Sequence, residues 1–198
     1  MKQKLLHKLN KRQGFSLTEM LATVLIMGFV GIIITTGAAT VQRVYRKVVA
    51  HANAQTALTT TITLMKDQLA FADLESIGDG SVTGAGFENS QTIVFKNLNS
   101  GEQTITLNPG TDSGTANRGF TLTYTAGDGT GTNSTTLPLL SDSAITSDLC
   151  ICFDDDTSGF SWDPATKVIT VTNLVAKDTR TDTVQAHASF KVLLVNGK

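Results

Sequence analysis

The chain has 198 residues, enough for one domain with a real core plus an appendage, and its formal net charge is −1. That value hides an uneven distribution. Lys2, Lys4, Lys8, Lys11 and Arg12 fall within the first fourteen residues beside no acid, leaving 11 basic and 17 acidic side chains, about −6, for the rest. So acidic a remainder, basic in only one short patch, argues against nucleic acid as a partner. Enzymatic chemistry is equally poorly represented. The three histidines, His7, His51 and His187, are far apart, and no nucleophile elbow, P-loop, HExxH or paired CxxC motif occurs, so the chain does not read as an enzyme.

Residues 20–41 are 22 consecutive positions without a charge. As a helix rising about 1.5 Å per residue they span roughly 33 Å, enough to cross a bilayer core of about 30 Å. The five leader bases hold the N-terminus in the cytoplasm, and Arg43, Arg46 and Lys47 beyond the span weaken this bias without reversing it. A secretory signal peptide is the competing reading, with Gly37, Ala38 and Ala39 as small residues for cleavage, although its apolar region usually runs only about 7–15 residues. Glu19 at the threshold of the run separates the two. An unpaired acid at a membrane centre costs on the order of 2.5–3.5 kcal/mol on insertion scales, and a signal peptide gains nothing from it.

The order basic leader, Gly14, Phe15, then Glu19 four residues on, resembles the prepilin family of type IV pilins, competence pilins and type II secretion pseudopilins. The resemblance covers about the first 60 residues. It implies cleavage between Gly14 and Phe15 by a membrane prepilin peptidase, N-methylation of Phe15, and a role for Glu19 in filament assembly. It further implies a leader over 1–14, a membrane-spanning and filament-core helix over 15–41, an amphipathic continuation over 42–80, and an extracytoplasmic β-rich head over 81–198. The implied partners are the peptidase and methylase, other pilin or pseudopilin subunits, membrane lipid, and, indirectly, an assembly platform and its ATPase. The subunit would first sit as a single-pass protein of the cytoplasmic membrane and then join a cell-surface or periplasmic filament. Many major pilins have a proline near Thr36; this chain has Thr35, Thr36 and Gly37 there, and its Glu19-Met20-Leu21 looks more like minor subunits.

Beyond the span, Val41, Tyr45, Val48, Ala52, Gln55, Leu58, Ile62, Met65 and Leu69 recur at steps of three and four, which predicts a helical stripe packed on a sheet. Gly78 and Gly80 place the helix end within 73–80. His51, beside that stripe with no second His or Cys at helical spacing, reads as a solvated or core-edge side chain.

After Gly80 the pattern changes to short alternating runs. Residues 91–98 and 102–108 flank Asn99-Ser100-Gly101 as a hairpin, and further strands are expected at 119–125, 145–153, 167–175 and 184–195. Residues 110–114 and 127–136 read as loops. The fold class is therefore α+β, a long N-terminal helix on an antiparallel sheet. Cys150 and Cys152, two apart in a strand, share one face. Asp154, Asp156 and Ser158 before Gly159 copy the opening half of a Ca²⁺ loop, so calcium is the one cofactor the sequence suggests. Ala165 stands where that loop needs its glutamate, Asp163 could replace it only in a different geometry, and the competing reading is an acidic β-turn. The other function class left open is a β-rich binding or adhesin domain, secreted or membrane-anchored.

Overall fold

The structure, a computed structural model, describes residues 16–81, 83–97, 103–110, 118–126, 133–141, 145, 148–155 and 157–195. Its contacts divide the chain into two units, 1–48 and 49–198. One helix, α1 (Leu17–Leu69, 53 residues), runs through the boundary.

In the first unit every described side chain is exposed, and the helix is long and apolar enough to cross a membrane. Its threonines do not spoil that character. The hydroxyls of Thr23, Thr35, Thr36 and Thr40 donate back to the carbonyls of Met20, Gly31, Ile32 and Thr36 at 2.8–3.0 Å. Each donor is thus satisfied within the helix, as an apolar solvent requires.

In the second unit the last turns of α1 bury Ala54, Ala57, Leu58, Thr61, Met65 and Leu69. The expected stripe is therefore corrected at its upper end. Ala52 and Gln55 are exposed, as are Val41, Tyr45 and Val48 in the first unit, and burial begins only at Ala54. The helix also stops at Leu69, short of 73–80, and no glycine ends it. The Asn97 side chain donates to the Gln68 carbonyl at 3.5 Å and the Val195 amide to that of Ala70 at 3.0 Å. Asp73 N–H then bonds the Lys96 carbonyl at 2.8 Å, drawing the chain off its helical path before a single 3₁₀ turn at Leu74–Ser76. Carbonyls that lack intrahelical donors are satisfied by residues distant in sequence.

Among the described residues nine strands follow: β1 (Phe87–Ser90), β2 (Ile93–Lys96), β3 (Thr104–Asn108), β4 (Thr121–Thr125), β5 (Ser134–Pro138), β6 (Leu149–Phe153), β7 (Gly159–Asp163), β8 (Val168–Asp178) and β9 (Thr183–Leu193). One sheet is the antiparallel meander β2-β3-β4-β5. Its register aligns Ile93, Leu107 and Leu122 in one inward row, which is why β3 alternates buried and half-buried. The β2–β3 pairing is the expected hairpin; Asn99-Ser100-Gly101 lies outside the described residues.

The other sheet centres on β8, an eleven-residue strand paired along its length with β9. Along its other edge β7 pairs over Val168–Thr172 and β6 over Leu174–Asp178, while β1 adds to β7. Thus β6 and β7 are two halves of one strand line, interrupted by residues 154–158. Gly159 restarts it where β1 crosses so closely that a Cβ would collide with the Ser90 carbonyl. Both sheets and the helix share one apolar cluster. Near its middle Phe120, Phe153 and Phe160 meet edge to face, with ring centroids 5.2–6.2 Å apart.

Three strands were not expected. β5 occupies part of the stretch read as a loop: all five of its residues are exposed, so no apolar alternation marks it. It is held by its ladder to β4 and by a 3.0 Å contact between the Thr123 and Thr136 hydroxyls. β1 has a single apolar residue, Phe87, and so shows no alternation, while β7, where Phe160 and Trp162 alternate with Ser161 and Asp163, follows directly on the acidic run read as a loop. The α+β class holds: one long apolar N-terminal helix and antiparallel sheets.

Candidate functional site

Two regions hold the residues that the sequence singles out. The first is the start of α1. Gly14 and Phe15 lie outside the described residues. Glu19 does not: it is exposed in the first turn, acidic where the helix dipole favours an anion. The amides of Glu19 and Met20 bond the Ser16 carbonyl at 3.0 and 3.1 Å, so the turn is formed right up to the described limit. In the sequence, Glu19 stands four positions after Phe15. From Glu19 onward the next charge is Arg43 and the next acid is Asp67.

The second region is the interruption between β6 and β7. Asp154 is exposed, and its amide donates to the Asn173 carbonyl at 3.3 Å. Asp156 lies outside the described residues. Ser158 is fully buried, and its hydroxyl donates to Asp155 Oδ1 at 2.5 Å. Asp155, which the alternating pattern passes over, therefore organises the loop. The same oxygen accepts the Thr157 amide at 3.0 Å and hydroxyl at 2.7 Å. Hydrogen bonds from Ser158 first, then Thr157, hold the Asp155 carboxyl below its ordinary pKa. Gln91 closes the loop from outside, donating to the Ser158 carbonyl at 2.8 Å. The signal for this arrangement was Asp155-x-Thr157, an acid followed two residues on by a hydroxyl, the sequence of an Asx turn.

Asp163 is likewise committed. It accepts Ala165 N–H at 3.0 Å and the Thr166 hydroxyl at 2.6 Å, stabilising the β7–β8 turn, and these bonds, Thr166 first, lower its pKa. Among the described residues no three His, Cys, Asp or Glu side chains gather so as to hold a metal ion. Cys150 is buried and Cys152 half-buried on β6, across from Lys177 and Val175. His51 and His187 both border one shallow cleft, where His51 Nε2 lies 3.0 Å from Gln55 Nε2. On β9, however, His187 alternates with Ala186 and Ala188, which pack against the core, so its ring stands on the other face.

Chemically, then, the most distinctive surface is the helix: an uninterrupted, fully exposed apolar run entered through a single carboxylate. Compared with known proteins, the chain matches no family model, no curated protein and no solved structure.

Proposed function

We propose that the chain is a structural subunit of a type IV pilus-like or type II secretion filament, of the minor-pilin or pseudopilin kind. It is inserted in the cytoplasmic membrane by residues 15–41, cut between Gly14 and Phe15, methylated at Phe15, and assembled through α1. The observation that supports this reading is the first half of α1. Thirteen large apolar side chains from Leu17 to Val41 stand exposed on a regular helix with no protein core of their own, and the acid at the threshold is Glu19. A soluble domain does not leave so much apolar surface in water. Either lipid or other helices must cover it, and a filament subunit uses first one and then the other. The β-rich unit, with its own core, is the part free to face the surroundings, and its role is binding or packing, not catalysis.

The N-terminal residue of the mature protein tests the proposal. In a host with the peptidase, sequencing or intact mass is expected to give Phe15 carrying one methyl group, and Gly14→Val is expected to remain full length in the membrane. A terminus at Ala39 or Thr40 would replace the reading with that of a secreted domain.

A further inference from the structure

Just beyond the apolar run, α1 has a short segment of different design. At 100° per residue, Arg43, Arg46 and Lys47 fall within about a 100° arc of the helix. Val41, Val44, Tyr45 and Val48 fall within another arc of about that width on the opposite side. All seven are exposed, and none of the three cations forms an ion pair among the described residues. The segment is therefore amphipathic, yet the first unit contains no core against which its apolar arc could pack.

Its position says what covers it. The apolar run ends at Val41, and its 22 residues roughly match the bilayer core, so residues 42–48 stand at headgroup depth. Tyr45, one of only two tyrosines in the chain, has the amphipathic ring that suits this depth. No acid occurs between Glu19 and Asp67, so the patch is purely cationic. Bases on the translocated flank also oppose the charge bias that orients a span. Three of them concentrated on one arc match an anionic surface in charge.

We infer that residues 41–48 form a collar that binds anionic phospholipid headgroups of the outer leaflet. The cations engage phosphates while the valines and Tyr45 rest against the acyl boundary. This rests on the membrane reading above, and it adds a lipid selectivity that the span alone does not confer.

The test uses the full chain reconstituted into vesicles of phosphatidylcholine with 30% phosphatidylglycerol, doped with spin-labelled analogues of either lipid. The wild type is expected to immobilise the labelled phosphatidylglycerol about five-fold more than phosphatidylcholine, the fold-change that one such contact confers, with the preference shrinking as salt rises. The variant R43Q/R46Q/K47Q is expected to float with the vesicles as before and to lose the preference. Equal immobilisation of the two lipids by wild type, or a preference unchanged in the variant, overturns the collar while leaving the span intact. Failure of the wild type to float overturns the membrane reading and the collar together. Charge-dependent cross-linking of two copies without lipid preference would assign the patch to a second subunit and also overturn the proposal.

Discussion

Asp155 shows how a single carboxylate can shape a loop without contributing to the core. It is exposed, yet three donors from Thr157 and Ser158 converge on one of its oxygens. Because its folded pKa lies below the ordinary value of 3.8, the charged form favours the folded loop. That contribution is fully present above the ordinary value and is lost as pH falls below it through the depressed folded value. Asp155→Asn keeps an acceptor oxygen and removes the charge. Exchange of the Thr157 amide in the wild type is therefore expected to speed up in acid relative to intrinsic rates, and in Asp155→Asn this acid step is expected to vanish. The melting temperature near neutral pH should barely move, since the group is solvated. The sequence showed three consecutive aspartates but not which one the backbone would use. Calcium-loop spacing points to Asp154 and Asp156; the short reach of an Asx turn selects Asp155.

At the scale of elements, legibility followed burial. β9 was readable because Ala186, Ala188, Phe190 and Val192 turn inward while His187, Ser189, Lys191 and Leu193 turn out. β5 was not, because none of its five residues is buried and its register comes wholly from β4. The helix was readable as a helix, but its stripe continued in sequence beyond where the protein uses it. Leu58 and Met65 are in the core, whereas Val41 and Tyr45 have the same spacing but belong to the first unit and are exposed. Periodicity reports which residues could share a face, and only the tertiary fold reports how far that face is covered. Substitutions should expose the difference. Leu58→Ala is expected to destabilise the second unit by about 2–5 kcal/mol, whereas Thr59→Ala, one step round the helix and exposed, should stay within about 0.5 kcal/mol. Urea denaturation followed by the fluorescence of Trp162, the only tryptophan and buried beside Phe87, measures both.

At the scale of the whole molecule, the exposed apolar helix and the folded core draw on different residues. The first unit has the apolar run and Glu19, and the second has the core. The long apolar helix was legible because about twenty uncharged residues in a row are a signal that composition alone reveals. A specific partner for the β-rich unit was not legible, because specialised recognition rests on surface chemistry that no spacing rule encodes. Glu19 provides the clearest test of this division. Glu19→Ala removes a charge from the threshold of the apolar run and touches nothing in the second unit. Insertion, cleavage and thermal unfolding are expected to match wild type, while incorporation into sheared filaments should fall to near the detection limit. Normal incorporation at normal membrane levels would remove the assembly role assigned to this carboxylate.

The broken line of β6 and β7 has a further meaning for how such a chain can vary. Both halves are pinned to β8 in fixed register, Phe153 against Leu174 and Gly159 against Thr172, so between the anchored Asp154 and the buried Ser158 the excursion sets no strand alignment of its own. Lengthening that excursion would leave every ladder bond where it is, and the added closure entropy grows only logarithmically, by about 0.6 kcal/mol for each doubling. The protein thus possesses a permissive seam in the middle of its sheet, where a lineage could graft new surface, or an experimenter an epitope, without retuning the fold.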